Sequence, residues 1–247
     1  MSRDDPSSRH LPVAFLMLYM YKVDKEIHSA AIFYLPPLLM YAIMGTMLGK
    51  LKNKIEKELI RFANNTYTLR MLRGISPLLS KSIKNFILRD GKRIRPILFT
   101  VGYLGFAKRI APNIYTSAIS MELLHDFMLV HDDIIDKSET RRGKPSMHAL
   151  FNRYLEKNKN IKFSGQDLAI VTGDVMYAMA IDAFLSIKAN AQRKEKALKS
   201  FVEAAMLTGC GEFIELINGI KAIEAISKKD IYKIYDCKTA YYTFACP

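Results

Sequence analysis

The chain has no tryptophan and only three cysteines, Cys210, Cys237 and Cys246, among 247 residues. An odd cysteine count with no metal-ligand spacing gives no sign of a disulfide framework or a structural zinc site. It fits buried or reduced thiols in an intracellular protein. Runs of alternating β-branched residues are missing, which argues against a sheet. There is no internal repeat and no low-complexity segment. After Met1-Ser2-Arg3-Asp4-Asp5 no short apolar core leads to a small-residue cleavage site, so no cleavable leader is expected.

Acidic residues are also scarce. Asp and Glu number 24 against 37 Lys and Arg, a net charge of +13. The excess is local: residues 50–109 hold fifteen Lys/Arg but only Glu56, Glu58 and Asp90. Such a surface attracts nucleic acid, anionic membrane or anionic small molecules. No nucleic-acid module accompanies it, so nucleic acid is not expected as a partner. Most of the excess reads as the Lys-rich solvated surface of a heat-adapted protein.

Charge is absent altogether from residues 30–48. That stretch approaches the length of a membrane-spanning helix, and a shorter apolar stretch, residues 11–21, precedes it. Pro36-Pro37 would break or kink such a helix. Three readings stand side by side: a membrane anchor or hairpin, a buried N-terminal helix or dimer contact, and a true start at Met40, Met44 or Met47. Residues 1–49 are therefore set apart as an apolar extension, and 50–247 as the functional domain.

What is present is helical. Half the residues are apolar, enough for a sizeable core. Leu51, Ile55, Leu59 and Phe62 recur at helical spacing. Ser76-Pro77 opens a second helix, which Asp90-Gly91 stops. A third starts at Arg95-Pro96 and ends before Ala111-Pro112-Asn113; residues 114–137 form a long fourth. Residues 137–144 and 158–162 read as polar loops, and residues 167–186, 192–216 and 227–244 as further helices. Long helices without strands imply an all-α antiparallel bundle.

Chemistry concentrates at His131-Asp132-Asp133-Ile134-Ile135-Asp136 and the adjoining Thr140-Arg141-Arg142-Gly143-Lys144. Asp132 and Asp136 are four apart, so on a helix they share a face. Two carboxylates that close make sense around a divalent cation, and hard oxygen ligands suit Mg²⁺ completed by substrate phosphates. Arginine is the preferred bidentate partner of phosphate. His125 lies two turns upstream on the same face. Lys92, Arg93 and Arg95 form a second cationic cluster at a helix start, where anions are favoured.

In order, Gly91-Lys92-Arg93-Ile94-Arg95-Pro96, Glu122-Leu123-Leu124-His125, His131 to Asp136, Arg141-Arg142-Gly143-Lys144-Pro145 and Lys238-Thr239-Ala240 resemble the trans-isoprenyl (polyprenyl) diphosphate synthases. The resemblance covers residues 50–247 and is most like the archaeal geranylgeranyl diphosphate synthases. It implies the helical bundle of that family and a short-chain prenyltransferase of isoprenoid (archaeal lipid precursor) biosynthesis, condensing isopentenyl diphosphate with an allylic diphosphate. By position, Asp132 and Asp136 match the Mg²⁺ ligands, while Asp133, off their face, supports. Lys92, Arg95, His125 and Arg142 match residues that bind isopentenyl diphosphate. Arg141, Lys238 and Thr239 match allylic-diphosphate ligands, so that Asp132, Asp136, Arg141 and Lys238 form the catalytic set. Glu212 and Glu215 fall in a region of the family that either faces the metal or supports it; both roles stay open.

Phe127 and Met128, five and four residues before Asp132, match the floor of the product pocket. A bulky Phe127 argues for the twenty-carbon geranylgeranyl diphosphate, with the fifteen-carbon product next. The resemblance also implies a homodimer and a cytoplasmic location, with membrane contact through residues 30–48 as one reading. The family's second aspartate-rich motif has no counterpart here. The expectation is a C-terminally incomplete bundle, with weak or no turnover by the chain alone. The alternative function is a non-catalytic subunit or fragment that needs a partner chain to supply that motif.

Overall fold

A computed structural model of the chain describes residues 37–107 and 109–247, with side chains from Gly45 onward. Residues 11–21 and 30–36 of the apolar extension lie outside the described residues. Those described contain nine α-helices: α1 (Pro37–Asn65), α2 (Tyr67–Ile75), α3 (Pro77–Ile87), α4 (Ile94–Phe106), α5 (Ile114–Ile135), α6 (Met147–Leu155), α7 (Gly165–Leu185), α8 (Ala191–Gly219) and α9 (Lys228–Tyr235). The chain passes from α9 directly into a π-helix, Asp236–Ala245. The strands among the described residues are two-residue pieces, β1 (Thr140–Arg141) and β2 (Lys144–Pro145), paired antiparallel.

The all-α expectation holds, and local chemistry sets the boundaries. Ser76 closes α2 and opens α3: its N–H donates to Leu72 O, and its hydroxyl accepts from Leu79 N–H at 3.3 Å, with Pro77 in the first turn. At α7 the Ser164 backbone N–H and hydroxyl donate to Asp167 Oδ2 at 2.7 and 2.6 Å. Ser227 and Asp230 repeat this at α9. α1 begins at Pro37 and continues unbroken past residue 50. The boundary expected there falls inside a helix, and Met47 already joins the core.

Helix α5 is the axis of the bundle. It packs along α7 over its length, and α1, α4 and α6 also lie against it. α1 contributes Leu51, Ile55, Leu59 and Phe62, all at most 2% exposed. They meet Ile83, Phe86 and Ile87 of α3 and Leu123, Leu124 and Val130 of α5 in one core. Fully burying each such side chain contributes about 1.5–3 kcal/mol. α7 is long and apolar enough to cross a membrane by composition, but its buried face, with Met176, Met179, Ala180 and Phe184, belongs to this core. α8 packs on the π-helix, which carries Lys238 and Thr239 back to the C-terminal end of α5.

Candidate active site

The acidic motif spans the end of α5, where Asp136 is the capping residue and its N–H donates to Asp132 O. Asp132 is half-buried, Asp136 exposed and Asp133 fully buried. Asp133 accepts from Arg141 Nε at 2.7 Å, so it supports the arginine. Arg141 Nη2 also reaches Asp132 Oδ2 at 3.0 Å. Burial opposes the charge on Arg141, but Asp133 and Asp132 outweigh it and raise the guanidinium pKa further.

Ligand oxygens of Asp132, Asp136 and Glu212 lie within 4.8 Å of one another. Three carboxylates converging from two helices are hard donors of the kind Mg²⁺ takes. The arrangement favours the metal-facing reading of Glu212 that spacing alone left open. Glu215 is half exposed and stands outside this trio. Lys238 Nζ lies 2.7 Å from Glu212 Oε2, 2.6 Å from Glu215 Oε2 and 3.4 Å from Asp132 Oδ1. Burial opposes its charge, yet these carboxylates prevail and hold the ammonium above its ordinary pKa. Burial raises the Glu212 carboxyl, with Lys238 opposing and Asp132 and Glu215 adding to the rise.

Lys238 reaches that position because α8 and the π-helix touch at Gly211. A Cβ there would sit 2.6 Å from the Lys238 backbone nitrogen and 2.9 Å from its Cα. No larger residue permits so close a backbone approach.

Arg141 and Arg142 belong to a hairpin. Arg142 and Gly143 form its two-residue loop, with φ of 54° and 72°. Positive φ at both positions is what a type I′ turn demands. In a non-glycine residue such as Arg142 it stores roughly 1–2 kcal/mol of strain. Arg142 turns inward, its Nη2 3.3 Å from Glu122 Oε1 and its Nη1 3.5 Å from Asp126 Oδ1. Both acids are buried in α5. Asp126 has no hydrogen-bond donor on either oxygen, and burial, with the Glu122 charge, pushes its carboxyl well above the usual range.

The second cationic cluster divides in two. Arg93 is fully buried and binds Glu122 Oε1 at 2.6 Å and Glu56 Oε1 at 2.8 Å, so it braces the core. Lys92 is exposed ahead of α4, whose N-terminus carries no side-chain cap. Arg95 donates to the Tyr242 hydroxyl at 2.6 Å and lies 4.2 Å over that ring. Tyr242 also meets His125 Nδ1 at 3.3 Å. Burial first, then the charges of Arg95, Arg142, Arg141 and Arg93, push His125 well below its ordinary pKa. It is a neutral imidazole in a strongly cationic corner.

A cavity of about 430 Å³ opens between α5, α8 and the π-helix. That volume is in the range of small-molecule pockets. Asp132, Glu212, Lys238 and Thr239 supply polar lining, and Phe127, Met128, Ile135, Phe213, Leu216 and Tyr242 supply most of the rest. The Phe127 ring meets His131 edge-on at 4.9 Å and a tilted Tyr177 ring at 5.0 Å.

Residues 76–247 match the polyprenyl synthetase family. The chain belongs to that family. It is 35% identical over 133 residues to a short chain isoprenyl diphosphate synthase of Methanocaldococcus jannaschii, covering 54% of this chain and 36% of that protein. It is 32% identical over 144 residues to a geranylfarnesyl diphosphate synthase of Aeropyrum pernix, covering 56% and 41%. The chain thus spans well under half the length of the curated relatives it matches. A geranylgeranyl pyrophosphate synthase of Corynebacterium glutamicum, solved with isoprenyl diphosphate and magnesium, shares the fold with a TM-score of 0.69. Its identity is 24%, and the match covers 81% of this chain and 58% of that one. The enzyme from Pyrococcus horikoshii gives 0.63 at 22% identity, covering 80% and 54%.

In this polyprenyl synthetase chain, the structure brings Asp132, Lys238 and Thr239 to the cavity wall with Asp136 and Arg141 beside Asp132, and Arg95, His125 and Arg142 to one cationic corner. Lys92 stays apart in solvent. Sequence reasoning missed Tyr242, four residues after Lys238, and the buried acids Glu122 and Asp126. Glu122 and Asp126 are themselves four apart on α5, one face of a helix, and that spacing was the available signal.

Proposed function

We propose that this chain performs the metal-dependent condensation of isopentenyl diphosphate with an allylic diphosphate, the longer prenyl diphosphate being geranylgeranyl diphosphate. One observation carries this reading: three carboxylates, Asp132, Asp136 and Glu212, converge beside an apolar cavity flanked by two arginine-bearing half-sites. Asp132, Asp136 and Glu212 would hold Mg²⁺, which when bound neutralises charge on the departing diphosphate. Arg141, Lys238 and Thr239 bind and orient the allylic diphosphate. Lys92, Arg95, His125 and Arg142 bind the diphosphate of the second substrate. Fixed cations aimed at the leaving group stabilise the charge that develops as its C–O bond breaks. The isopentenyl double bond attacks the allylic carbon, and the proton lost passes to the released diphosphate. The apolar walls exclude water that would quench the cation. Phe127 and Met128 limit the tail.

The homodimer and the cytoplasmic location belong to the same proposal. Incubation with dimethylallyl diphosphate, labelled isopentenyl diphosphate and Mg²⁺ tests it, alongside calorimetric titration of isopentenyl diphosphate. Isopentenyl diphosphate binding is expected, with weak, EDTA-sensitive elongation at most by the chain alone, since the second aspartate-rich motif has no counterpart in it. A folded chain that binds neither diphosphate overturns the reading.

A further inference from the structure

We infer that Arg89 is a positioning residue that sets the geometry of the Arg141–Arg142 hairpin from beneath. Arg89 follows α3 and is 4% exposed, so it is shielded from any diphosphate. Its guanidinium donates through Nη1 to Arg141 O at 3.2 Å and through Nη2 to Pro145 O at 2.8 Å. Those carbonyls belong to the two opposite strands of the hairpin, β1 and β2. One planar fork therefore ties both strands to the end of α3.

The hairpin needs such a tie. Its strands are two residues each, and its turn holds Arg142 at positive φ. An isolated two-stranded hairpin is marginal in water even at full length. The tie also closes a circuit. The Arg89 carbonyl accepts from Arg93 Nη2 at 2.6 Å, Arg93 binds Glu122, and Glu122 holds Arg142. The hairpin is thus fixed through its carbonyls by Arg89 and through the side chains of Arg141, held by Asp133 and Asp132, and Arg142, held by Glu122. Behind Arg89, the carboxyls of Asp126 and Asp133 offset its buried charge, with Arg142 opposing.

The consequence rests on the function proposed above. Arg141 faces the metal-side carboxylates, and Arg142 faces the corner with His125 and Arg95. Fixing one backbone turn aims both arginines, so losing Arg89 weakens both diphosphate half-sites together. Lysine is no substitute, because one ammonium on a flexible stem cannot span two carbonyls as a guanidinium fork does.

Amide hydrogen exchange of Arg89→Met and Arg89→Lys against wild type tests the positioning role without any substrate. Two charge-assisted hydrogen bonds are at stake, so exchange at residues 140–146 should accelerate about tenfold or more in both variants. Exchange in α5 should stay unchanged. Isopentenyl diphosphate affinity, read by calorimetry, should fall about tenfold in parallel. Should Arg89→Met not fold, Arg89→Lys decides. Wild-type exchange at 140–146 in either folded variant overturns the inference. Failure of the wild-type chain itself to bind isopentenyl diphosphate counts against the prenyltransferase reading, and the exchange result judges Arg89 independently.

Discussion

Lys238 Nζ lies 2.7 Å from Glu212 Oε2, inside the same carboxylate group that is fit to hold a divalent cation. The ammonium and the metal therefore compete for the same carboxylates, Glu212 most closely and Asp132 at 3.4 Å. Glu212→Gln keeps the shape and removes the charge. It should weaken Mn²⁺ or Mg²⁺ binding about tenfold or more, by analogy with losing a metal-site partner. Titration followed by electron paramagnetic resonance of Mn²⁺ reads this directly. Unaltered affinity would leave Asp132 and Asp136 as the whole protein contribution.

His125 gives a pH signature. Its folded pKa lies well below the ordinary 6.5. Between the two values the unfolded chain binds more protons than the folded one, so stability rises with pH and levels off above about 6.5. On acidification that stability is lost as pH falls from about 6.5 toward the folded pKa. His125→Gln should flatten this part of the profile in thermal melts between pH 5 and 7. Parallel profiles for variant and wild type would mean His125 is solvated and ordinary.

Phe127 is held on two sides, by His131 and by Tyr177, so its ring is a fixed wall of the cavity. Phe127→Ala opens that wall. Products longer than those of the wild type are expected, separated by reversed-phase chromatography after dephosphorylation. An unchanged product length would move the floor elsewhere, Met128 being next.

Gly211→Ala should loosen the seat of Lys238. The added methyl meets backbone atoms of the π-helix, which cannot rotate aside as a side chain can. Overpacking of this kind costs about 1–3 kcal/mol. That corresponds to about 2–4 °C in Tm per kcal/mol at this chain length. Gly209→Ala is the internal control, since a Cβ there meets nothing within 4 Å. It should be neutral or slightly stabilising, alanine being the better helix former. Equal melting temperatures for the two variants would show that the contact at Gly211 yields freely.

How far the fold could be read in the residues depended on length of pattern. The α1 stripe of Leu51, Ile55, Leu59 and Phe62 and the Ser76-Pro77 start carry their own physics, and both stand in the structure. α2 and α6 did not stand out: each is nine residues, and α2 exposes Tyr67, Met71 and Ile75 beside its buried leucines. Residues 227–244 read as one helix because apolar period does not report hydrogen-bond register. The structure divides them into α9 and a π-helix, where Cys246 N–H reaches back five residues to Tyr241 O.

The site divides in the same way. Asp132 and Asp136 announce themselves by spacing, but Glu212 comes from another helix, and only packing places it beside them. Arg142 stands in the sequence as a diphosphate-binding position with no partner named, and the structure pairs it with Glu122 and Asp126. Charge in a sequence carries no record of which partner tertiary structure will supply.

The three thiols differ in ways that matter at the bench. Cys210 is exposed, whereas Cys237 and Cys246 are partly covered, and burial pushes the Cys246 thiol up to about 11. Reactivity follows thiolate and access. A maleimide dye should therefore attach first at Cys210, two residues from Glu212 in α8 and beside Gly211. The protein carries a native labelling position on the outer side of the turn that carries Glu212, and fluorescence from it can report metal loading without an engineered cysteine.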